Sequence, residues 1–291
     1  ADDGARLLGR RGNAAMRQVL RRVRKRKRVA AVTIAAVVSL SRTVSPAAAV
    51  LGWVNRLPAR ELYVVTDDPV HFRRARRRTK ATVVFLPQPT DEWTLRAFGT
   101  RLAASDVVFC ADARTPVGPA VLRRFARAVR RGADLALSDV RTSLPVFCRR
   151  APVWWVRQWL NMAVGRRDLD AATLQQPPYA LGRRAISALG ADAFVLPSRA
   201  FLAAVRNGLR LRMVRGMCSR IRGRLKNASA ASSAEKAALD DLAGAFGELC
   251  AFLGPRCGHG DGGRNRSAAS GSISDGEEMS NAVGEHHHPD A

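Results

Sequence analysis

The sequence lacks the long apolar runs and the dense cysteine content that define two large classes of protein. No stretch reaches the roughly 20 consecutive apolar residues that a membrane-spanning helix needs, which excludes a multi-span membrane protein. Five cysteines in 291 residues are too few, and odd in number, for a small disulfide-built fold. Because 47% of the residues are hydrophobic, a disordered chain is excluded as well. We expect one domain of about 200 residues with tails, or at most two domains.

Familiar catalytic and nucleotide-binding motifs are also missing. The sequence has no G-x-x-x-x-G-K-[ST] phosphate loop, and no G-x-G-x-x-G follows its first predicted strand. It has no G-x-S-x-G nucleophile elbow and no Cys-x-x-Cys pair. Cys250, Cys257 and His259 are close in sequence, but three ligands in a Gly-rich tail make a poor zinc site. Candidate functional residues therefore have to come from the order and spacing of the predicted elements.

Basic residues are in large excess, with 49 Lys+Arg against 24 Asp+Glu and a formal net charge of +25. Such a charge favours nucleic acid or an anionic membrane surface as a partner. The basic residues are nearly all Arg and alanine is abundant, which is the bias that a GC-rich genome imposes. The charge is therefore explained either by an anionic partner or by coding bias expressed on a solvated surface.

The middle of the chain alternates between short β-branched apolar runs and amphipathic helical patterns. This alternation predicts βαβ units and a mostly parallel sheet flanked by helices, an α/β fold. In such sheets ligands bind at the carboxyl ends of the strands. The predicted strands cover 29–38, 61–66, 81–86, 107–111 and 133–138, and the predicted helices cover 46–57, 70–78, 90–104 and 117–131.

The chain divides into four predicted segments: a basic extension over 1–28, a main domain over 29–226, a C-terminal helix over 227–253 and a disordered tail over 254–291. Residues 29–54 have a second interpretation, as a signal peptide or a short anchor, because a basic cluster precedes the apolar run. We prefer a buried strand over 29–38. The expected location is the cytoplasm or the periphery of a membrane.

The pattern after residue 146 is looser. Residues 153–160 are apolar and aromatic, which is typical of a core helix or of an amphipathic interfacial helix. Residues 191–196 are predicted to form a strand, with a helix following over 199–206. A further helix is predicted over 235–253.

Acidic residues follow two of the predicted strands, with Asp67 and Asp68 after the second and Asp112 at the end of the fourth. The order of these elements over about residues 30–210 resembles the nucleotide-binding half of the family 2 glycosyltransferases, which have the GT-A fold. That family has an acidic pair after its second strand and an Asp-x-Asp motif after a later strand. The segment of this chain that resembles the motif is Asp112-Ala113-Arg114-Thr115.

The resemblance implies a nucleotide-sugar donor, contacted on its nucleoside side by Asp67 and Asp68. It also implies Mg²⁺ or Mn²⁺ on Asp112, since these ions take carboxylate and phosphate oxygens as ligands. Arg114 stands in place of the second carboxylate and is expected to pair with the diphosphate directly. For the catalytic base, Asp192 is a weak candidate.

Two functions from different classes remain open at this point. The first is glycosyl transfer from a nucleotide sugar to an unknown acceptor, in an active or degenerate form. The second is a non-enzymatic basic α/β module that binds nucleic acid or an anionic membrane surface through its arginine clusters. Under this second hypothesis, the carboxylates Asp67, Asp68 and Asp112 only terminate strands.

Overall fold

The computed structural model describes residues 32–42, 48–141, 144, 146–215 and 233–254. Its described residues up to Leu249 belong to one compact unit, and those over 250–254 belong to a second. Within the described ranges, seven strands form one sheet: β1 (Ile34–Leu40), β2 (Glu61–Thr66), β3 (Thr82–Phe85), β4 (Val107–Asp112), β5 (Leu135–Ser138), β6 (Tyr179–Gly182) and β7 (Leu211–Val214).

Helices connect these strands. They are α1 (Ala48–Val54), α2 (Pro69–Arg78), α3 (Glu92–Leu102), α4 (Pro119–Arg130), α5 (Pro152–Ala163), α6 (Arg183–Leu189), α7 (Pro197–Arg206) and α8 (Ser233–Leu253). Proline occupies the first turn of α2, α4, α5 and α7, where its missing N–H costs no hydrogen bond. No helix of the described segments is both long enough and apolar enough to span a bilayer.

The strand order is β3-β2-β1-β4-β6-β5-β7. Neighbouring strands pair in parallel except at β6, which runs antiparallel to both β4 and β5. The predicted α/β fold with a mostly parallel sheet is confirmed. The chain leaves β1 toward β2 on one side and later returns to β4 on the other. The carboxyl ends of β1 and β4 therefore flank a topological switch point, the usual ligand position in an open α/β sheet.

The core is built on the faces of the central strands. All but the first residue of β1 are buried, as expected for a strand with neighbours on both edges and helices on its faces. Phe109 of β4 meets Phe125 of α4 edge to face, with ring centroids 5.6 Å apart. On the other face, Gly99 brings the backbone of α3 close to Val37 of β1. These contacts pack α4 on one face of the sheet and α3 on the other.

Several local predictions differ from the structure. The strand predicted over 191–196 is wrong, because Ala191–Val195 forms a 3₁₀ turn that packs beside α3. Sequence analysis also missed β6, α6 and β7, which are short elements with too few residues to establish a period. Some predictions lie outside the described residues. These are the extension 1–28, the first residues of the first strand (29–31), the larger part of the basic stretch 208–226 and the tail beyond 254. The four predicted segments stay predictions.

Candidate functional site

A cleft of about 600 Å³ opens at the carboxyl ends of β1, β2 and β4. The start of α3, the loop 175–177 and the first turns of α8 complete its walls. The cleft therefore coincides with the switch point of the sheet. The charged residues that line it are Arg42, Asp67, Asp91, Glu92, Asp112, Arg114 and Arg157.

Asp67 follows β2 and is almost completely buried, with 1% of its surface exposed. Its carboxylate accepts hydrogen bonds from the backbone N–H and the Nε of Arg42, at 3.0 and 3.1 Å. The backbone N–H of Thr90 donates a third, at 3.1 Å. Asp67 thus joins the end of β1 to the loop before α3, and it holds the half-exposed Arg42 guanidinium at the cleft.

Asp112 and Arg114 form the second charged pair. The backbone N–H of Arg114 donates to Asp112 Oδ1 at 2.8 Å, and Arg114 Nε donates to Oδ2 at 3.1 Å. The far end of the same guanidinium contacts Glu92 in the first turn of α3. Ser41 also donates to Glu92, at 3.2 Å. One arginine therefore bridges a carboxylate at the end of β4 and a carboxylate of α3.

A buried arginine supports this bridge from inside α3. Arg96 lies one turn after Glu92 and is 1% exposed. Its Nη1 lies 3.2 Å from Ser39 Oγ in β1 and 3.9 Å from Glu92 Oε2. Glu92 therefore faces two guanidinium groups.

Asp68 has a different role from its neighbour Asp67. It is the N-cap of α2, and its Oδ1 accepts hydrogen bonds from the backbone N–H groups of Val70 and His71. The hydrogen bond from His71 is the main reason that the pKa of Asp68 is lowered. Asp68 does not belong to the cleft lining. The structure brings Asp67, Asp112 and Arg114 together, and it places Asp68 at the start of α2 beside them.

Asp192 lies away from the cleft. Its exposed side chain pairs with Arg101 at 3.8 Å, near the last turn of α3. The cleft is at the opposite end of this helix, at Glu92, about 14 Å along the helix axis from a rise of about 1.5 Å per residue. The structure therefore does not bring the predicted base to the predicted donor site.

A polar network that sequence analysis missed lies at the α8 side of the cleft. Arg157 of α5 is buried, and burial lowers its pKa to about 10. Its Nε donates to Gln175 Oε1 at 2.8 Å, and Gln175 Nε2 donates to Asp241 Oδ2 of α8 at 2.8 Å. The signal in the sequence was an arginine on the apolar face of a helix, between Trp154 and Leu160. A buried arginine is expected to be paired with another polar group.

The donor set does not fit a divalent cation at Asp112. Both oxygens of this carboxylate accept hydrogen bonds from Arg114, and the cation that lies between Asp112 and Glu92 is a guanidinium. Among the residues that the structure describes, no group of three or more His, Cys, Asp or Glu side chains is arranged to hold an ion. We therefore derive no chemical step through Mg²⁺ or Mn²⁺.

No protein-family model matches this chain, and no curated protein matches it. Solved structures similar to it include a nucleotidyl transferase from Methanothermobacter thermautotroptrophicus, with 18% identity over 73% of this chain and 99% of that one, at a TM-score of 0.43. The 4-diphosphocytidyl-2C-methyl-D-erythritolsynthase from Anaerococcus prevotii has 13% identity over 67% of this chain and 96% of that one, at a TM-score of 0.44. TarS from S. aureus has 12% identity over 76% of this chain and 72% of that one, at a TM-score of 0.42. Because these identities and TM-scores are low, we infer function from the residues of the cleft.

Proposed function

We propose that the cleft binds a nucleotide-sugar donor. The observation that carries the proposal is that Asp67, Asp112 and Arg114, separated by up to 47 residues in sequence, line one cleft at the switch point of a mostly parallel sheet. Ligands of open α/β sheets bind at this position. A volume of about 600 Å³ lies within the range of small-molecule sites, roughly 300–1,000 Å³.

Arg42, Arg114 and Arg157 line the cleft together with four carboxylates, so in this proposal the diphosphate is held locally by guanidinium groups and not by a net positive charge of the cleft. Guanidinium N–H groups donate hydrogen bonds to phosphate oxygens. Each of these side chains is held by a carboxylate or an amide oxygen of the protein, so little side-chain entropy is lost when phosphate binds. In this proposal, the arginines provide the positive charge that the family 2 resemblance assigns to a metal ion.

In this proposal, the nucleoside lies toward the end of β2. Asp67 lies there, and the half-buried Trp93 on the first turn of α3 offers an aromatic surface for stacking of the base. Asp68 acts indirectly in this arrangement, because it fixes the start of α2 directly after Asp67. The sugar then points toward the loop 175–177 and the beginning of α8.

Glycosyl transfer to an acceptor is the reaction that we propose for the bound donor. An acceptor oxygen attacks the anomeric carbon, and the nucleoside diphosphate leaves with the bonding electron pair. A carboxylate usually takes the proton of the acceptor. Asp192 lies outside the cleft, and the cleft carboxylates Asp67 and Asp112 already accept hydrogen bonds from arginine. Donor binding therefore has more structural support than transfer, and the two are tested separately.

Titration calorimetry with a panel of UDP- and GDP-sugars tests donor binding, once with EDTA and once with Mn²⁺. We expect one donor to bind in both conditions. Arg114→Gln should weaken binding about tenfold or more, since a charge-assisted phosphate contact is worth about 1.4 kcal/mol or more. Arg123→Gln is the matched control, because Arg123 is an exposed arginine of α4 outside the cleft. The proposal fails if a folded sample binds none of the donors. Release of the nucleoside diphosphate in the presence of acceptor mixtures tests transfer.

One observation favours a second function, the binding of nucleic acid. α2 carries five exposed arginines and no acidic residue: Arg73, Arg74, Arg76, Arg77 and Arg78. Binding of a non-specific duplex at two salt concentrations tests this function. A steep loss of affinity with salt, together with no binding of nucleotide sugars, would favour it over donor binding.

A further inference from the structure

A patch of large apolar side chains is exposed on α5 and on the 3₁₀ turn before it. Val146 is 64% exposed, Phe147 59%, Trp159 55% and Met162 43%. The ring of Phe147 packs against Trp155, with centroids 4.1 Å apart. We call these five residues the aromatic patch. Trp155, Trp159 and Met162 follow one another at spacings of four and three residues, so they lie on one side of the helix.

The two sides of α5 have opposite surroundings. Val153, Trp154 and Leu160 are buried against the body of the domain. Trp159 and Met162 face solvent. One side of the helix belongs to the core, as the core-helix interpretation predicts, and the other side has the composition of an interfacial helix. Scattered exposed apolar residues are normal in proteins, but a contiguous group that includes two tryptophans and a phenylalanine indicates a binding surface.

The stretch of sequence that carries the aromatic patch is basic. No Asp or Glu occurs between Asp139 and Asp168, whereas Arg149 and Arg167 within this interval are exposed. The guanidinium of Arg150 lies 5.8 Å from the centre of the Phe147 ring.

The acidic residues that border this interval are each paired with an arginine. Arg141 contacts Asp139 at 2.8 Å, and Arg166 contacts Asp168 at the same distance. These hydrogen bonds lower the pKa of both carboxyl groups, which stay ionised and neutralised by their partners. The two acidic residues at the ends of this interval are thus engaged by arginines outside or at the edge of it, and the interval itself carries only basic charge.

We propose that the aromatic patch docks the protein on an anionic bilayer. The amphipathic ring of tryptophan is favoured at the level of the headgroups. Phenylalanine inserts there with the apolar face of an interfacial helix. Arg149, Arg150 and Arg167 then lie beside the phosphates of anionic lipids. Charge complementarity selects this occupant over a second copy of the chain, since a symmetric contact would bring the arginines of the two copies together. The proposal is independent of what binds in the cleft.

Vesicle flotation of the full chain is the test, with phosphatidylcholine vesicles and with vesicles that also contain phosphatidylglycerol. We expect binding to the anionic vesicles. Trp159→Ala combined with Phe147→Ala should weaken it at least about tenfold, since each exposed ring loses its favourable transfer out of water. Leu102→Ala is the control, because Leu102 is 42% exposed on α3, outside the patch. Arg149→Gln with Arg150→Gln should reduce binding to anionic vesicles without creating binding to neutral ones.

Other basic segments of the chain also attract anionic lipid, so the contribution of the patch needs its own readout. Quenching of tryptophan fluorescence by brominated lipids supplies it: the wild type should be quenched, and Trp159→Phe should remove a clear part of that quenching while the protein stays bound. Unchanged binding of the Trp159→Ala, Phe147→Ala variant would overturn the proposal. Concentration-dependent dimers that this variant abolishes would overturn it in favour of a second copy.

Discussion

Replacing Arg114 with alanine removes the cation that lies between Asp112 and Glu92. The three side chains are 27%, 11% and 18% exposed, so the bridge is neither fully buried nor a surface pair. Breaking a buried ion pair costs about 3–5 kcal/mol, and breaking an exposed one costs about 0–1 kcal/mol. We therefore expect a loss of about 2 kcal/mol. For a domain of this size this corresponds to a fall in Tm of about 4–8 °C.

The same substitution should create affinity for a divalent cation. It leaves two carboxylates facing a space from which a guanidinium has been removed, with the hydroxyl of Ser41 beside Glu92. A weak carboxylate site binds Ca²⁺ with a Kd of about 1 mM, and we expect similar affinity for Mn²⁺. At about 10 mM Mn²⁺ the variant should then regain about 1.4 kcal/mol of stability. Thermal unfolding with and without Mn²⁺ measures both effects, and electron paramagnetic resonance of Mn²⁺ measures the binding directly.

Two controls isolate the effect. Arg123→Ala removes an exposed arginine of α4 and should change neither Tm nor its response to Mn²⁺. Arg114→Lys keeps a positive charge but loses the forked geometry, so it should lie between the wild type and Arg114→Ala and bind no ion. The reasoning is refuted if Arg114→Ala is as stable as the wild type, or if the wild type itself binds Mn²⁺ as tightly as the variant.

Two further predictions concern stability. Asp68→Ala should lower the free energy of unfolding by about 1 kcal/mol at neutral pH, because the N-cap of α2 is lost. Since the pKa of Asp68 in the folded protein is lowered from 3.8, this cost should shrink as the pH falls below about 4. The stabilisation by an Asp68→Asn cap should be independent of pH, and urea unfolding across that range measures both. A constant difference would contradict the capping role. Gly99→Ala should destabilise by about 1–3 kcal/mol, because the new methyl group would overlap Val37 Cγ1. The control is Gly247→Ala on α8, where a new methyl group meets open space, and this substitution should stabilise the protein by about 0.5–1 kcal/mol. Denaturant titrations measure both variants. Equal effects of the two substitutions would contradict the packing described for α3.

The alternation of apolar runs and helical patterns was enough to predict the parallel part of the sheet. β2, β3 and β4 are separated by helices of 10 and 11 residues, which are long enough to show their period. The order of the strands along the chain places Asp67 and Asp112 at the same edge. Short elements were predicted poorly. Antiparallel β6 has four residues, and it inserts between β4 and β5 through a contact that no local pattern encodes.

The partners of the site residues depend on tertiary structure. Arg42, Glu92 and Arg157 come from three distant parts of the chain, and only the folded chain shows that they share a cleft with Asp112 and Arg114. The bridge from Arg114 to Glu92 could not be derived from the Asp-x-Asp resemblance, since that motif concerns only residues two positions apart.

For Asp192, the sequence predicted a place at the donor site that the folded chain does not give it. Its sequence position suggested that it lies on a strand, but the surrounding residues form a 3₁₀ turn at the distal end of α3.

A crystal structure of the chain with a bound nucleotide sugar, grown without divalent cations, tests the central claim most directly. We predict the diphosphate within hydrogen-bond distance of the guanidinium groups of Arg42, Arg114 or Arg157, and the nucleoside beside Asp67 and the end of β2. A nucleotide bound elsewhere on the protein would contradict the account. So would a diphosphate that appears in the cleft only when a metal ion displaces Arg114 from its carboxylates.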